Sequence, residues 1–299
     1  MMSLLSSSRP YSLNNKCQYL SVLVPDACPH AVVVSLNRPS KRNAMSAALW
    51  KEIGAIFSSL GRMGDDCRCV VLRGEGKAFT AGLDITDASI IVGGNADDDD
   101  DSPDDAARKG LTFFPKILEM QRCLTNIEEC PVPVIAAIHG NCIGAGVDMA
   151  TCCDIRLAQV GSTFSVREVQ LGLAADVGTL QRLPKITGND SRVRELCYTG
   201  ELFDHSEALR IGLVSRVCQD VLQDALQLAS LISSHSPVAV MGTKRSLIYS
   251  RDHTVAEGLE HVAGHNALAL MTSDIPAAFM AATSKKRPSF PPIPAHSRL

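Results

Sequence analysis

Val132-Pro-Val-Ile-Ala-Ala-Ile-His-Gly-Asn-Cys-Ile-Gly-Ala-Gly-Val-Asp148 is the stretch that decides the fold. It reads as a buried strand over 132–138, a turn of small residues and the start of a helix. Backbone N–H groups near Ala145 and Gly146 have no earlier helical turn to bond to, and such amides are suited to stabilising an oxyanion. The glycines invite a dinucleotide reading, but Met149 stands where the third glycine of that fingerprint is required. The chain carries neither a GxxxxGK[ST] phosphate loop nor a GxSxG nucleophile elbow. A second turn of the same kind, Gly76-Lys-Ala-Phe-Thr-Ala-Gly-Leu-Asp84, follows an apolar run over 69–72. Two amides from two such turns can converge on one oxygen; two plain tight turns explain the glycines equally well.

Three acids lie in otherwise apolar, glycine-rich sequence. Asp148 sits between Val147 and Met149, Glu168 follows 20 residues later, and Asp176 follows 8 after that between Ala175 and Val177. Burying a carboxylate there costs several kcal/mol unless it is paired, hydrogen-bonded or protonated. Taken singly, Asp148 reads as a helix-start acid, Glu168 as a surface acid at a strand end, and Asp176 as the cap of a helix over 177–186. The joint pattern points instead to proton carriers sharing one pocket, with raised and coupled pKa values.

The rest of the composition bounds the class. With 299 residues, 45% of them hydrophobic, the chain can bury a large core. A net charge of -3 and the lack of a basic stripe interleaved with aromatics exclude a dedicated nucleic-acid surface. No apolar run reaches the ~20 residues of a membrane span. Eleven cysteines without a CxxC pair read as reduced, mostly buried thiols in a reducing compartment. His261 and His265 have metal-ligand spacing but lack a third ligand, so no metal site is expected. His139 reads as a packed or hydrogen-bonded residue. The first sixteen residues resemble neither a secretory signal nor a transit peptide.

Apolar runs at 20–24, 31–36, 69–72, 132–138 and 154–157 alternate with helical patterns, which gives an α/β arrangement. Ser46 is the expected N-cap of one helix, and another is expected over about 106–127. The acidic run Asn95-Ala-Asp-Asp-Asp-Asp-Asp-Ser-Pro-Asp-Asp105 reads as a solvated loop. Helices are expected over 221–233, 238–250, 255–271 and 275–284. The organisation is therefore an N-terminal extension (1–18), an α/β core (19–218), a C-terminal helical module (219–290) and an extended tail (291–299). That tail ends in Ser297-Arg298-Leu299, a conservative variant of a peroxisomal address.

Together Gly76 to Asp84, His139 to Asp148 and Cys153-Asp-Ile-Arg156 resemble the enoyl-CoA hydratase/isomerase (crotonase) superfamily over roughly residues 19–290. Glu168-Val-Gln-Leu-Gly-Leu-Ala-Ala-Asp-Val-Gly-Thr-Leu-Gln-Arg-Leu-Pro184, with Ser236-Pro-Val-Ala-Val240 and Ile248-Tyr-Ser-Arg-Asp-His253, is similar to the branch that shifts double bonds in dienoyl thioesters, because an acid at 176 is not general to the superfamily. The resemblance implies a spiral of ββα units, trimerisation through the C-terminal helical module with trimers paired into hexamers, and an acyl-CoA substrate with no metal or redox cofactor. It implies an oxyanion hole from the Leu83 and Ala145 amides. Many members carry glycine at 145, and alanine tolerates positive φ less well. Glu168 is implied as the base at C2, Asp176 as the acid at C6, and Asp148 as the group that orients or tunes the pair, converting a 3,5-dienoyl-CoA to the 2,4-dienoyl-CoA in β-oxidation of unsaturated fatty acids.

By the same resemblance, Asn37-Arg-Pro-Ser-Lys-Arg-Asn-Ala-Met45 is the coenzyme A turn, with Lys41 or Arg42 near phosphate and Asn43-Ala44 near adenine, and with Lys285 assisting from a neighbouring subunit. The expected location is the peroxisome or a related organelle such as a glycosome, through an import receptor reading Ser297, Arg298 and Leu299, with the mitochondrion as alternative. Two other functions stay open: an enoyl-CoA hydratase, disfavoured by the short Asp148, and a catalytically silent acyl-CoA- or RNA-binding relative.

Overall fold

Strands form where the chain runs apolar and β-branched, as at Ala31-Val-Val-Val-Ser-Leu36, whose six residues are all buried. In the computed structural model, which describes residues 5, 7–62, 66–87 and 106–294, this is β3 (Ala31–Leu36) of a seven-stranded sheet. In chain order the strands are β1 (Ser8–Pro10), β2 (Leu20–Pro25), β3, β4 (Cys69–Gly74), β5 (Val134–Ile138), β6 (Asn141–Ile143), β7 (Ile155–Gln159), β8 (Thr163–Ser165), β9 (Phe203–Asp204) and β10 (Arg216–Cys218). The large sheet has the order β1-β2-β3-β4-β5-β7-β10, antiparallel up to β3 and parallel beyond it. A second sheet, β6-β8-β9, is joined by the stacked rings of Phe164 and Phe203 at 5.4 Å.

The helices are α1 (Ala47–Ser59), α2 (Ala106–Glu128), α3 (Ala145–Thr151), α4 (Thr179–Ile186), α5 (Asp190–Thr199), α6 (His205–Arg210), α7 (Val221–Ser233), α8 (Pro237–Arg251), α9 (Val255–Ala269) and α10 (Asp274–Ser284). Alternation along β3 sends Val32, Val34 and Leu36 into the main core with α1, while Ala31 and Val33 face a second core with Val221, Ala225 and Ala229 of α7. The unit β5-β6-α3 is one ββα turn. Its corner is Gly140, at φ 58, where a Cβ would lie 2.1 Å from the Lys77 carbonyl oxygen. The expected α/β arrangement is observed, with α1 and α7 packed on opposite faces of the large sheet.

Within the N-terminal segment Ser8–Pro10 pairs with β2, and Tyr11 and Leu13 are buried in the main core. At the other end α7 covers a face of the large sheet, so the peripheral module is α8 to α10, which exposes Leu247, Leu259, Leu268, Met271 and Phe279. Ser46 caps α1 as expected, its Oγ accepting from Leu49 N at 3.3 Å, and Thr254 forms a capping box with Glu257. All eleven cysteines are free thiols, ten of them buried. Among the described residues no helix is long and apolar enough to cross a membrane. The acidic run over 95–105 and the terminal Ser297-Arg298-Leu299 lie outside the described residues.

Candidate active site

The segment after β4 runs alongside β6 and is stitched to it. Phe79 N donates to the His139 carbonyl at 2.7 Å, Thr80 N to Asn141 at 2.9 Å, and Ile143 N to Thr80 at 3.3 Å. No side chain fits between the two backbones: at Gly82, φ 88, a Cβ would stand 2.7 Å from the Ile143 carbonyl oxygen. On the far side Met45 N donates to Gly82 O at 2.8 Å and Asp84 N to Met45 O at 3.1 Å, which leaves the intervening Leu83 amide facing the other way. Ala145, the first residue of α3, likewise has an uncommitted amide. Among the described residues neither N–H meets an acceptor, and both residues line one cleft of about 580 Å3. Ala145 does not adopt positive φ. That conformation falls on Gly144 (φ 51, ψ -117), so alanine at 145 leaves the turn undistorted.

The three acids line this same cleft. Asp148, on α3, is fully buried. Its Oδ1 accepts the Thr179 amide at 2.6 Å, while among the described residues its Oδ2 has no partner. Burial first, and then the charges of Glu168 and Asp176, push its pKa up to about 7 against the opposing Thr179 bonds. Glu168 opens a 3-10 turn, Glu168–Leu171, and is half-buried. Its Oε1 lies 3.2 Å from where a Cβ on Gly144 would be, which sets the carboxyl beside the free Ala145 amide, and its Oε2 has no partner. Burial, then the charge of Asp176, raises its pKa as well.

Asp176 departs from the expectation of a buried acid, for its side chain is exposed at the mouth of the cleft. Nor does it cap a helix over 177–186. Helix α4 begins at Thr179, its N-cap is Gly178, and the carboxylate on its first amide is that of Asp148. The sequence gives no sign of this bond between residues 31 apart.

A family model for enoyl-CoA hydratase/isomerase matches residues 30–268. The chain belongs to the enoyl-CoA hydratase/isomerase family. It is 49% identical over 271 residues to the mitochondrial Delta(3,5)-Delta(2,4)-dienoyl-CoA isomerase of Pongo abelii, covering 90% of this chain and 80% of that one. It is 40% identical over 258 residues to the peroxisomal enzyme of the same name from Arabidopsis thaliana, with 85% and 90% covered. The crystal structure of an enoyl-CoA hydratase from Bacillus anthracis superposes with a TM-score of 0.80 at 29% identity, over 92% of this chain and all of that one.

On this family scaffold the proposed coenzyme A turn divides into a frame and a rim. Asn43 is fully buried, with φ 57. Its Nδ2 donates to the carbonyls of Glu75, Ala78 and Phe79, its Oδ1 accepts from Arg38 N, and its own carbonyl accepts from Thr80 Oγ1. Asn43 therefore shapes the loop and has no free polar atom for adenine. Lys41 and Arg42 are exposed, and Ala44 lines the cleft. Asp84, held by Arg38 at 2.9 Å and by Thr86, ties the rim to the Leu83 turn, and these bonds keep its carboxyl below the usual range. Lys285 ends α10 at φ 55 and does not line the cleft of its own chain.

His139, His261 and His265 do not line the cleft. His139 hydrogen-bonds the Gly76 carbonyl at 3.1 Å and burial lowers its pKa. His261 stacks on Tyr249 at 4.0 Å, and His265 packs over Gly242. Among the described residues no group of His, Cys, Asp or Glu is placed to hold a metal ion.

Proposed function

We propose that this chain isomerises a 3,5-dienoyl-CoA to the conjugated 2,4-dienoyl-CoA by carrying a proton from C2 to C6. The thioester oxygen sits between the Leu83 and Ala145 amides, where one such donor is worth about 2.7–4 kcal/mol in the transition state. Glu168 takes the C2 proton, which leaves a dienolate whose charge spreads to the oxyanion hole. Asp176 returns a proton at C6, and the double bonds move from C3 and C5 to C2 and C4. One C–H bond breaks and one forms, so the acids finish with the same number of protons. Asp148, titrating near neutrality, keeps the cluster from being fully ionised.

The observation that carries this reading is the commitment of Asp148. Hydration uses two carboxylates to hold a water, but here Oδ1 of the first is engaged by the Thr179 amide, and a third acid faces the cleft instead. The identities to two dienoyl-CoA isomerases support the same choice.

The test is to mix the protein with a 3,5-dienoyl-CoA and follow the ultraviolet absorbance of the 2,4-dienoyl thioester, with Asp176→Asn alongside. A rise that the variant lacks supports the reaction and the third acid; hydration of a 2-enoyl-CoA at comparable kcat/KM defeats the reading. The apolar residues exposed on α8 to α10 fit burial against further copies of the chain as a trimer or a dimer of trimers, with Lys285 then reaching a neighbour's coenzyme A; light scattering on the eluted protein decides the oligomer. The proposed setting is β-oxidation in the peroxisome through Ser297-Arg298-Leu299, with the mitochondrion as alternative. Imaging a fusion that lacks Leu299 separates the two.

A further inference from the structure

Helix α2 meets the site along two adjacent stripes. Phe113, Ile117 and Met120 line the cleft. The neighbouring stripe, Gln121, Thr125 and Glu128, lies on one helical face and grips the turn that carries Asp176. Gln121 Nε2 donates to the Asp176 carbonyl oxygen at 2.6 Å. Arg182 Nη2 reaches Thr125 Oγ1 at 3.2 Å and Glu128 Oε2 at 3.1 Å. The same guanidinium covers Gly178, with Nη1 2.0 Å from where a Cβ would stand.

The helix is itself fixed. Trp50 Nε1 donates to the Met120 carbonyl at 2.8 Å and Asn126 Nδ2 to the Gly54 carbonyl at 3.0 Å. Gly54 lets the two helices close, since a Cβ there would lie 2.7 Å from Cys123 Sγ. Among the described residues the Asp176 carboxylate accepts no hydrogen bond, so the placement of its backbone is what limits where the carboxyl can reach. That backbone is held at its carbonyl by Gln121.

We propose that Gln121 is a positioning residue for Asp176, aiming the exposed acid from the helix that also forms the apolar wall of the cleft. The inference rests on Asp176 carrying the terminal proton. Gln121→Met removes the donor at nearly the same length; Gln121→Glu restores one only when protonated.

Gln121→Met should lower isomerisation kcat by about 10–100-fold, the scale of a ~1 Å misplacement, with KM within about twofold. Solvent deuterium exchange at C2, which needs Glu168 and the amides but not Asp176, should stay at the wild-type rate. For Gln121→Glu the ratio of mutant to wild-type kcat should rise as the pH is lowered. Isomerisation by Gln121→Met at the wild-type rate, with Asp176→Asn inactive, overturns this inference and leaves the isomerase reading standing. A parallel fall in C2 exchange overturns it too, because that signals general disruption. A wild-type protein that moves no double bond removes both.

Discussion

Replacing Asp148 by asparagine should make this protein more stable at alkaline pH. Asp148 has an ordinary pKa of 3.8, which the unfolded chain keeps, and a folded value of about 7 caused chiefly by burial. A carboxyl whose folded pKa is raised gives the fold its full stability below 3.8 and loses it as the pH climbs through about 7. At ~1.4 kcal/mol per pH unit, that interval makes the ionised wild type about 4 kcal/mol less stable than one with the proton retained. Asparagine mimics the protonated form, since its Oδ1 can still accept the Thr179 amide and its Nδ2 puts a donor where Oδ2 already lacks a partner. The gain should thus be near zero at about pH 4 and grow to roughly 2–4 kcal/mol at about pH 8. Urea unfolding of both proteins across this range, at one protomer concentration and with an unchanged m-value, measures it. A difference that stays flat with pH would show that Asp148 titrates normally inside the fold, and the argument for a buried, proton-retaining acid would be refuted.

Gly144→Ala should cost about 1–3 kcal/mol of stability, because alanine is strained at φ 51 and ψ -117, and its methyl would press on Glu168 Oε1. Turnover should fall with it, read as kcat alongside the thermal midpoint. Asn43→Ala strips donors from three carbonyls and should lose about 2–4 kcal/mol in urea unfolding, whether or not a CoA ester is present. Because Glu168 must be ionised to act as base, C2 deuterium exchange should fall as the pH drops through its raised pKa.

Five of the seven strands described in the main sheet were legible because each is an apolar run, whereas the three-residue β1 and β10 were not. Helix α7 occupies 221–233 as expected, and the five expected strands fall within two residues of those seen at each end. The small sheet was not legible. Strands of two or three residues such as Phe203–Asp204 show no alternation, and this one exists because β8 lies beside it. Helices α5 and α6 were also missed, being short and rich in charge, with Arg192 spread over Glu195, Glu201 and Glu207. At the site, the pairing of acids with free amides could be read from residue types. The exposure of Asp176 and the bond from Thr179 to Asp148 could not, since each depends on how distant turns pack.

That bond also explains how the fold tolerates a buried acid. Gly178 brings no side chain to the N-terminus of α4, and its φ of 134 suits glycine rather than a serine or aspartate that would cap the helix from within. The cap comes instead from α3, so Asp148 ties a helix of the cleft wall to α4 while one of its oxygens remains unpaired among the described residues. A shorter acid than glutamate suits this position, because its carboxyl stays at the helix junction and leaves the cleft to Glu168 and Asp176. In the proposed isomerisation the short acid thereby leaves the acyl chain to the two other acids, and the stability lost at high pH is the consequence of keeping that third carboxyl buried.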